Sequence, residues 1–155
     1  VQGRLVEQQY DELRPLPPKT NNPAIDPQAG MSQEDIDKLP GMPITVFTME
    51  VDSVLAGAVS TDEIEVFQIG GVLDGVEYRA EDAPLRVDPG QEVVLVLAAQ
   101  EEGRYDLPSK TQSAFNVDSS ASLSPVDGVD ELDIKSVDQL VELAEANGGT
   151  VTPGA

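Results

Sequence analysis

The spacing of apolar residues changes several times along this chain, and each change predicts an element. In 1–10, Val1, Leu5 and Val6 stand among polar residues, which predicts a first strand. From Ile44 the period is two: Phe47, Met49 and Val51 alternate with Thr48, Glu50 and Asp52, the pattern of a half-buried strand. Ile64 to Ile69 is the next strand, with Ile64, Val66 and Gln68 on one face and Glu65, Phe67 and Ile69 on the other. Val93 to Ala99 is unbroken apolar sequence, so 92–99 reads as one strand buried on both faces. Arg104 to Leu107 is polar enough for an edge strand, and Phe115 with Val117, then Leu123 with Val126, predict a last pair of short strands. At the end Val137, Leu140, Val141 and Ala144 fall at i, i+3, i+4 and i+7, one apolar helical stripe to lie on a β core.

Glycine, proline and capping residues punctuate these runs. Residues 15–30 hold Pro15, Pro17, Pro18, Pro23 and Pro27 and close on Gly30, so the chain makes an extended surface excursion there. Ser32 is a good N-cap for a short helix near 33–39, with Asp35 in its first turn, a Met31–Ile36 staple and a stop at Pro40-Gly41. That helix is expected to plug one end of the core. Val54 to Gly57 turns the chain after the 44–52 strand. Gly70-Gly71 permits a bulge or sharp bend, Asp74-Gly75 a tight turn before a short strand over 76–80, and Asp88-Pro89-Gly90 another turn. Glu101-Glu102-Gly103 reverses the chain. Ser136 and Gln139 form an S-x-x-Q capping box, and Asn147-Gly148 ends the last helix. The expected organisation is one β-barrel domain over 1–148, with a Pro-rich insertion at 15–43, a C-terminal helix at 136–147 and a flexible tail at 149–155.

Charge narrows the function. The 155 residues include 29 acidic and 9 basic side chains, a net charge of −20. Such a field repels nucleic acid and anionic lipid. It keeps a protein dispersed, or, with only four Lys, suits a high-salt environment. The chain has no Cys and no His. Disulfides, thiolate nucleophiles, cysteine metal sites and Ser-His-Asp triads are therefore out. No apolar run approaches the length of about 18 residues that spans a membrane as a helix.

The remaining candidate chemistry reads as scaffold. A glycosidase needs two carboxyls at a set separation, usually beside aromatic sugar platforms, and the tyrosines available are Tyr10, Tyr78 and Tyr105. Asp127, Asp130, Glu131 and Asp133 match a calcium loop only loosely and read as an acidic link into a helix. Gly70-Gly71 with Gly75 lacks the Lys-Ser/Thr and the helix of a phosphate loop. Neither Ser53 nor Ser60 sits in a nucleophile elbow. Lys110 near Ser109 and Ser113 reads as a polar loop rather than a Ser-Lys dyad. Arg79, Arg86 and Arg104 read as partners for local carboxylates, with an anionic ligand as the sharper alternative. No catalytic, cofactor-binding or metal-binding residue is assigned, and no cofactor is expected.

Thr45-Val46-Phe47-Thr48-Met49-Glu50-Val51-Asp52-Ser53-Val54-Leu55-Ala56-Gly57, then Ile64 to Gly71, Pro84 to Val87, Pro89-Gly90 and Val93 to Leu97, resembles a domain of secreted or surface-attached prokaryotic proteins, among them lipoproteins. The same pattern resembles the small barrel of netrin-like and tissue-inhibitor-of-metalloproteinase-like domains, a relative of the OB-fold. The likeness covers 1–10 and 44–126. The cysteines that staple the animal inhibitors are absent here, and no functional residue carries over. With the strand pattern, the resemblance implies a mainly β, small and mostly antiparallel OB-like or netrin-like barrel, closed or half-closed, of roughly five to seven strands with two short peripheral α-helices. The expected function is that of an exported, non-enzymatic cell-surface or envelope domain that binds a protein, peptide or glycan. The alternatives are an inhibitor or accessory module of an extracellular enzyme, and a structural spacer. The expected location is extracellular or at the cell surface, with a lipid anchor upstream of Val1 left open.

Overall fold

A computed structural model describes residues 1–148 except 60, 81–82, 84, 89, 101–102, 110–111, 127 and 129–132. The first strand, β1 (Gln2–Leu13), runs longer than its sequence pattern and leads into the Pro-rich excursion and α1 (Gln33–Ile36). Next come β2 (Met42–Ser53), β3 (Glu63–Ile69) and a small ribbon, β4 (Gly71–Leu73) with β5 (Val76–Tyr78). The chain continues through β6 (Glu92–Leu95), β7 (Ala98–Ala99), β8 (Arg104–Asp106), β9 (Ala114–Val117) and β10 (Leu123–Pro125), and ends on α2 (Val137–Ala146). Eight strands form one sheet in the order β10-β9-β6-β1-β2-β3-β8-β7, and β4-β5 pair separately.

That sheet has to curl. Only Val96 and Leu97 separate β6 from β7, yet four strands stand between them in the sheet order. In a flat sheet five spacings of about 4.8 Å would hold them roughly 24 Å apart, whereas the linking backbone reaches about 10 Å. The far end of the sheet therefore returns toward β6, giving a half-barrel. An ion pair reports the same curvature: Arg104 Nη2 in β8 meets Asp11 Oδ2 in β1 at 2.9 Å, three places away in the sheet order.

The curl accounts for the one parallel pair in a sheet expected to be mostly antiparallel. β3 and β8 pair in parallel, with Glu65, Val66 and Phe67 opposite Arg104, Tyr105 and Asp106. The ring traced by β1, β2, β3, β8 and the β6–β7 segment has five members. Strand directions cannot alternate all the way round an odd ring, so one neighbouring pair must be parallel. The 92–99 run is also not one strand buried on both faces: it breaks at Val96-Leu97, and Val96 is 38% exposed. Nor is 104–107 an edge. β8 lies between β3 and β7, and the edges are β7 and β10, both too short to template another chain.

Packing follows the two-residue period. Leu5, Phe47, Met49, Ile64, Val66, Val93 and Leu95 form the main core with Leu85. The opposite faces feed two smaller clusters: Ile44, Val46 and Phe67 on β2 and β3, and Val94, Phe115, Val117, Leu123 and Ile134 near α2. The two faces of β3 therefore divide as the alternation predicts. α1 ends at Ile36, shorter than expected, although turn hydrogen bonds continue to Leu39. Its Ser32 cap accepts from Asp35 N at 3.2 Å, and Ile36 is its buried residue, so it anchors the excursion with one side chain. Glu12 Oε1 accepts from Gly41 N at 3.0 Å and ties the two ends of the excursion together.

Gln68 acts as a substitute strand partner. Its amide donates to Leu85 O at 3.2 Å, and its carbonyl accepts from Leu85 N at 3.0 Å. This holds the irregular segment before β6 so that Leu85, 2% exposed, closes the core. Gln68→Ala leaves both Leu85 backbone groups without that partner, and the expected loss is about 1–3 kcal/mol. Urea unfolding measures it, and faster amide exchange at Leu85 locates it.

Candidate functional site

The capping box of α2 forms with a variation. Ser136 Oγ accepts from Gln139 N at 3.3 Å, while Gln139 Oε1 reaches back to Lys135 N, one residue before the cap, at 2.7 Å. This sets how the helix enters, and only part of its stripe closes on the sheet. Val137 and Leu140 pack on the cluster of Val94 and Phe115. Val141 and Ala144 do not complete the contact, and no residue of α2 is buried.

What remains is an open groove of about 620 Å³. One wall is α2 with Leu140, Val141, Leu143 and Ala144. The other is the β6–β7 crossover with Leu95, Val96 and Leu97, flanked by Leu55 to Val59 and by Pro108, Ser109, Gln112 and Ser113. Among the described residues, no charged side chain lines it; the polar lining is Tyr105, Ser109, Gln112, Ser113 and Asn147. Leu143 is 45% exposed at its rim. The volume is that of a ligand site. The apolar surface left open is of the kind that marks interaction sites.

Val1 borders this groove. Its amine donates to Leu95 O at 2.8 Å, and its carbonyl accepts from Leu95 N at 2.8 Å, which carries the β1–β6 pairing one residue further. Burial pushes the Val1 ammonium from 8.0 down to about 6. The unfolded amine therefore binds more protons between these values, so stability rises with pH across that window and is lost as pH falls toward 6. The expected gain from pH 6 to 8 is on the order of 2 kcal/mol. Urea unfolding of the 155-residue chain at the two pH values measures it, and acetylating the Val1 amine should abolish the slope.

Of the residues singled out in the sequence, Tyr10, Tyr78, Arg79 and Arg86 line one depression beside the β4–β5 ribbon, Tyr105, Ser109 and Ser113 line the groove, and the others stand apart. Arg104 bridges Asp11 and Glu65 at 2.9 and 3.0 Å, and Arg79 pairs with Glu77 at 2.9 Å. Arg86 instead donates to the backbone carbonyls of Ala83 and Leu85, at 2.8 and 2.9 Å. Ser113 is 1% exposed, and its hydroxyl accepts from Ser109 N at 3.0 Å as a loop brace. Ser53 ends β2. Asp133 pairs with Lys135 at 3.0 Å. Ser60, Lys110, Asp127, Asp130, Glu131 and the 149–155 tail lie outside the described residues. Among the described residues, no three acidic side chains cluster as a cation site would need. Also among them, no helix is long and apolar enough to cross a membrane.

Among the described residues three carboxyls shift, all below their ordinary value. The Glu12 backbone N–H lowers Asp11, with further help from Arg104. Arg79 lowers Glu77. The Ser120 hydroxyl, then the backbone N–H groups of Ser122 and Ser120, lower Asp118. The groove residues Val96 and Leu143 were not singled out from sequence. The available signals were an apolar run longer than one short strand, and a leucine beside the helical stripe. The chain matches no family model, no curated protein and no solved structure.

Proposed function

We propose that this domain is a non-enzymatic binding module, exported to the cell surface or envelope, whose groove beneath α2 takes an apolar stretch of a partner polypeptide. One observation carries the reading: among the described residues no charged side chain lines the groove, while Asp138, Glu142 and Glu145, exposed on α2, are acidic. An apolar segment with basic flanks complements both features. The ring of β1, β2, β3, β8 and β6–β7 reads as an OB-like barrel, a five-stranded and partly open design; its single parallel pair supports that reading. Export is tested by fractionating native cells, where retention in the cytoplasm would contradict it.

The groove is tested with an amphipathic lysine–leucine peptide in calorimetry, against the chain and its Leu143→Glu variant. Mere attraction to a protein of net charge −20 predicts equal or tighter binding after a further negative charge is added. Seating in the groove predicts at least tenfold weaker binding. Unchanged or tighter binding by the variant would remove the groove as the site.

A further inference from the structure

A second depression lies at the other end of β1, apart from the groove, and two tyrosines, Tyr10 and Tyr78, line it. The cross-strand register puts Gln8, Phe47 and Val66 in one row and Tyr10, Thr45 and Gln68 in the next, all on the core face. The depression, about 420 Å³, opens over this end of the face, with Phe47 and Leu85 among its lining residues and the β4–β5 ribbon at its side.

Glycine makes room for one of them. Gly71 is the cross-strand partner of Tyr78, and a Cβ on Gly71 would lie 3.0 Å from Tyr10 Cδ1. The Tyr10 ring therefore lies against Gly71 where another residue would carry a side chain, next to the strand that bears Tyr78. Packing uses only part of either ring: Tyr10 is 53% exposed and Tyr78 is 46% exposed. Planar polar groups surround them. Glu77 holds Arg79 through two contacts, 2.9 and 3.3 Å, and Gln8 and Arg86 complete the wall.

We propose that this depression binds an uncharged oligosaccharide. A sugar ring offers an apolar C–H face, which an exposed tyrosine can cover, and pairs of adjacent hydroxyls, which forked carboxylate, guanidinium and amide groups can take. Neutrality follows from the charges present. The Arg79 guanidinium is matched by Glu77, Arg86 is committed to two backbone carbonyls, and the whole chain carries −20. Among the described residues lining the depression, an anionic glycan would meet no unmatched cation, and the chain's net charge would repel it.

Amide-shift titration of the 15N-labelled chain with maltohexaose, cellohexaose, chitohexaose and an oligogalacturonate tests this. At least one neutral oligomer should shift residues around Tyr10, Gly71 and Tyr78, and the galacturonate should bind more weakly. Tyr78→Ala, on the exposed ribbon, should weaken binding at least tenfold, and Tyr78→Phe should stay within about threefold because the ring remains. Leu143→Glu should leave sugar binding unchanged, which separates this site from the groove. Absence of shifts with all three neutral oligomers, tighter binding of the galacturonate, or indifference to Tyr78→Ala would overturn the assignment.

Discussion

Replacing Gly3 with valine is expected to prevent folding. Gly3 pairs with Val51 of β2 on one side and Val93 of β6 on the other, so it sits where the curled sheet joins its two halves. The register shifts between Gln2 and Gly3, and the kink drives the Glu50 carbonyl into the space a Cβ would occupy. Met49 Cε lies 3.1 Å from the same point. The nearest obstacle is backbone, held by pairing on both sides, and cannot rotate away. Gly3→Ala should already cost about 3 kcal/mol or more, from overpacking without relief. Gly57→Ala is the control: its φ is +80°, but nothing lies within 4 Å of the added methyl. That change should cost about 1 kcal/mol from backbone conformation alone. Circular dichroism and urea unfolding of the three variants separate close approach from conformational strain.

Phe47→Ala should be the most damaging truncation in the core, at about 3–5 kcal/mol. Phe47 is 1% exposed and joins Met49, Val66 and Leu95 in the main cluster. Beside it on the neighbouring strands stand Gln8 and Val66, so the space left by the ring is bounded by ladder backbone and collapses poorly. It also lines the tyrosine-bearing depression, so the cavity should open toward that end. The midpoint of urea unfolding measures the loss. Val76→Ala, at a position 53% exposed on the ribbon, should stay within about 0.5 kcal/mol.

The elements legible in the sequence were those set by local rules. The alternation in 44–52 and 64–69 fixes which residues of β2 and β3 share a face, and the two core clusters divide on that alternation. Ser32 and Ser136 cap their helices because a cap is decided within four residues. The parallel β3–β8 pair was not legible, because it follows from an odd number of strands in the ring, which no single segment encodes. The break at Val96-Leu97 was hidden for a related reason. A residue facing an apolar groove and one buried in a ladder look alike in hydropathy, so the run read as one strand. The groove depends on how far α2 stands from the sheet, and the stripe in 137–144 predicts contact without predicting its completeness. Tyr10 and Tyr78 are far apart in sequence and line one depression, where Gly71, opposite Tyr78, leaves room for the Tyr10 ring.

Amide-shift mapping of the 15N-labelled chain with the lysine–leucine peptide tests the binding reading most directly. Seating in the groove predicts saturable shifts centred on Val96, Leu97, Leu143 and Ala144, with the far end of β1 left unchanged. Weak, non-saturating shifts spread over the acidic surface, or a centre elsewhere on the half-barrel, would contradict it.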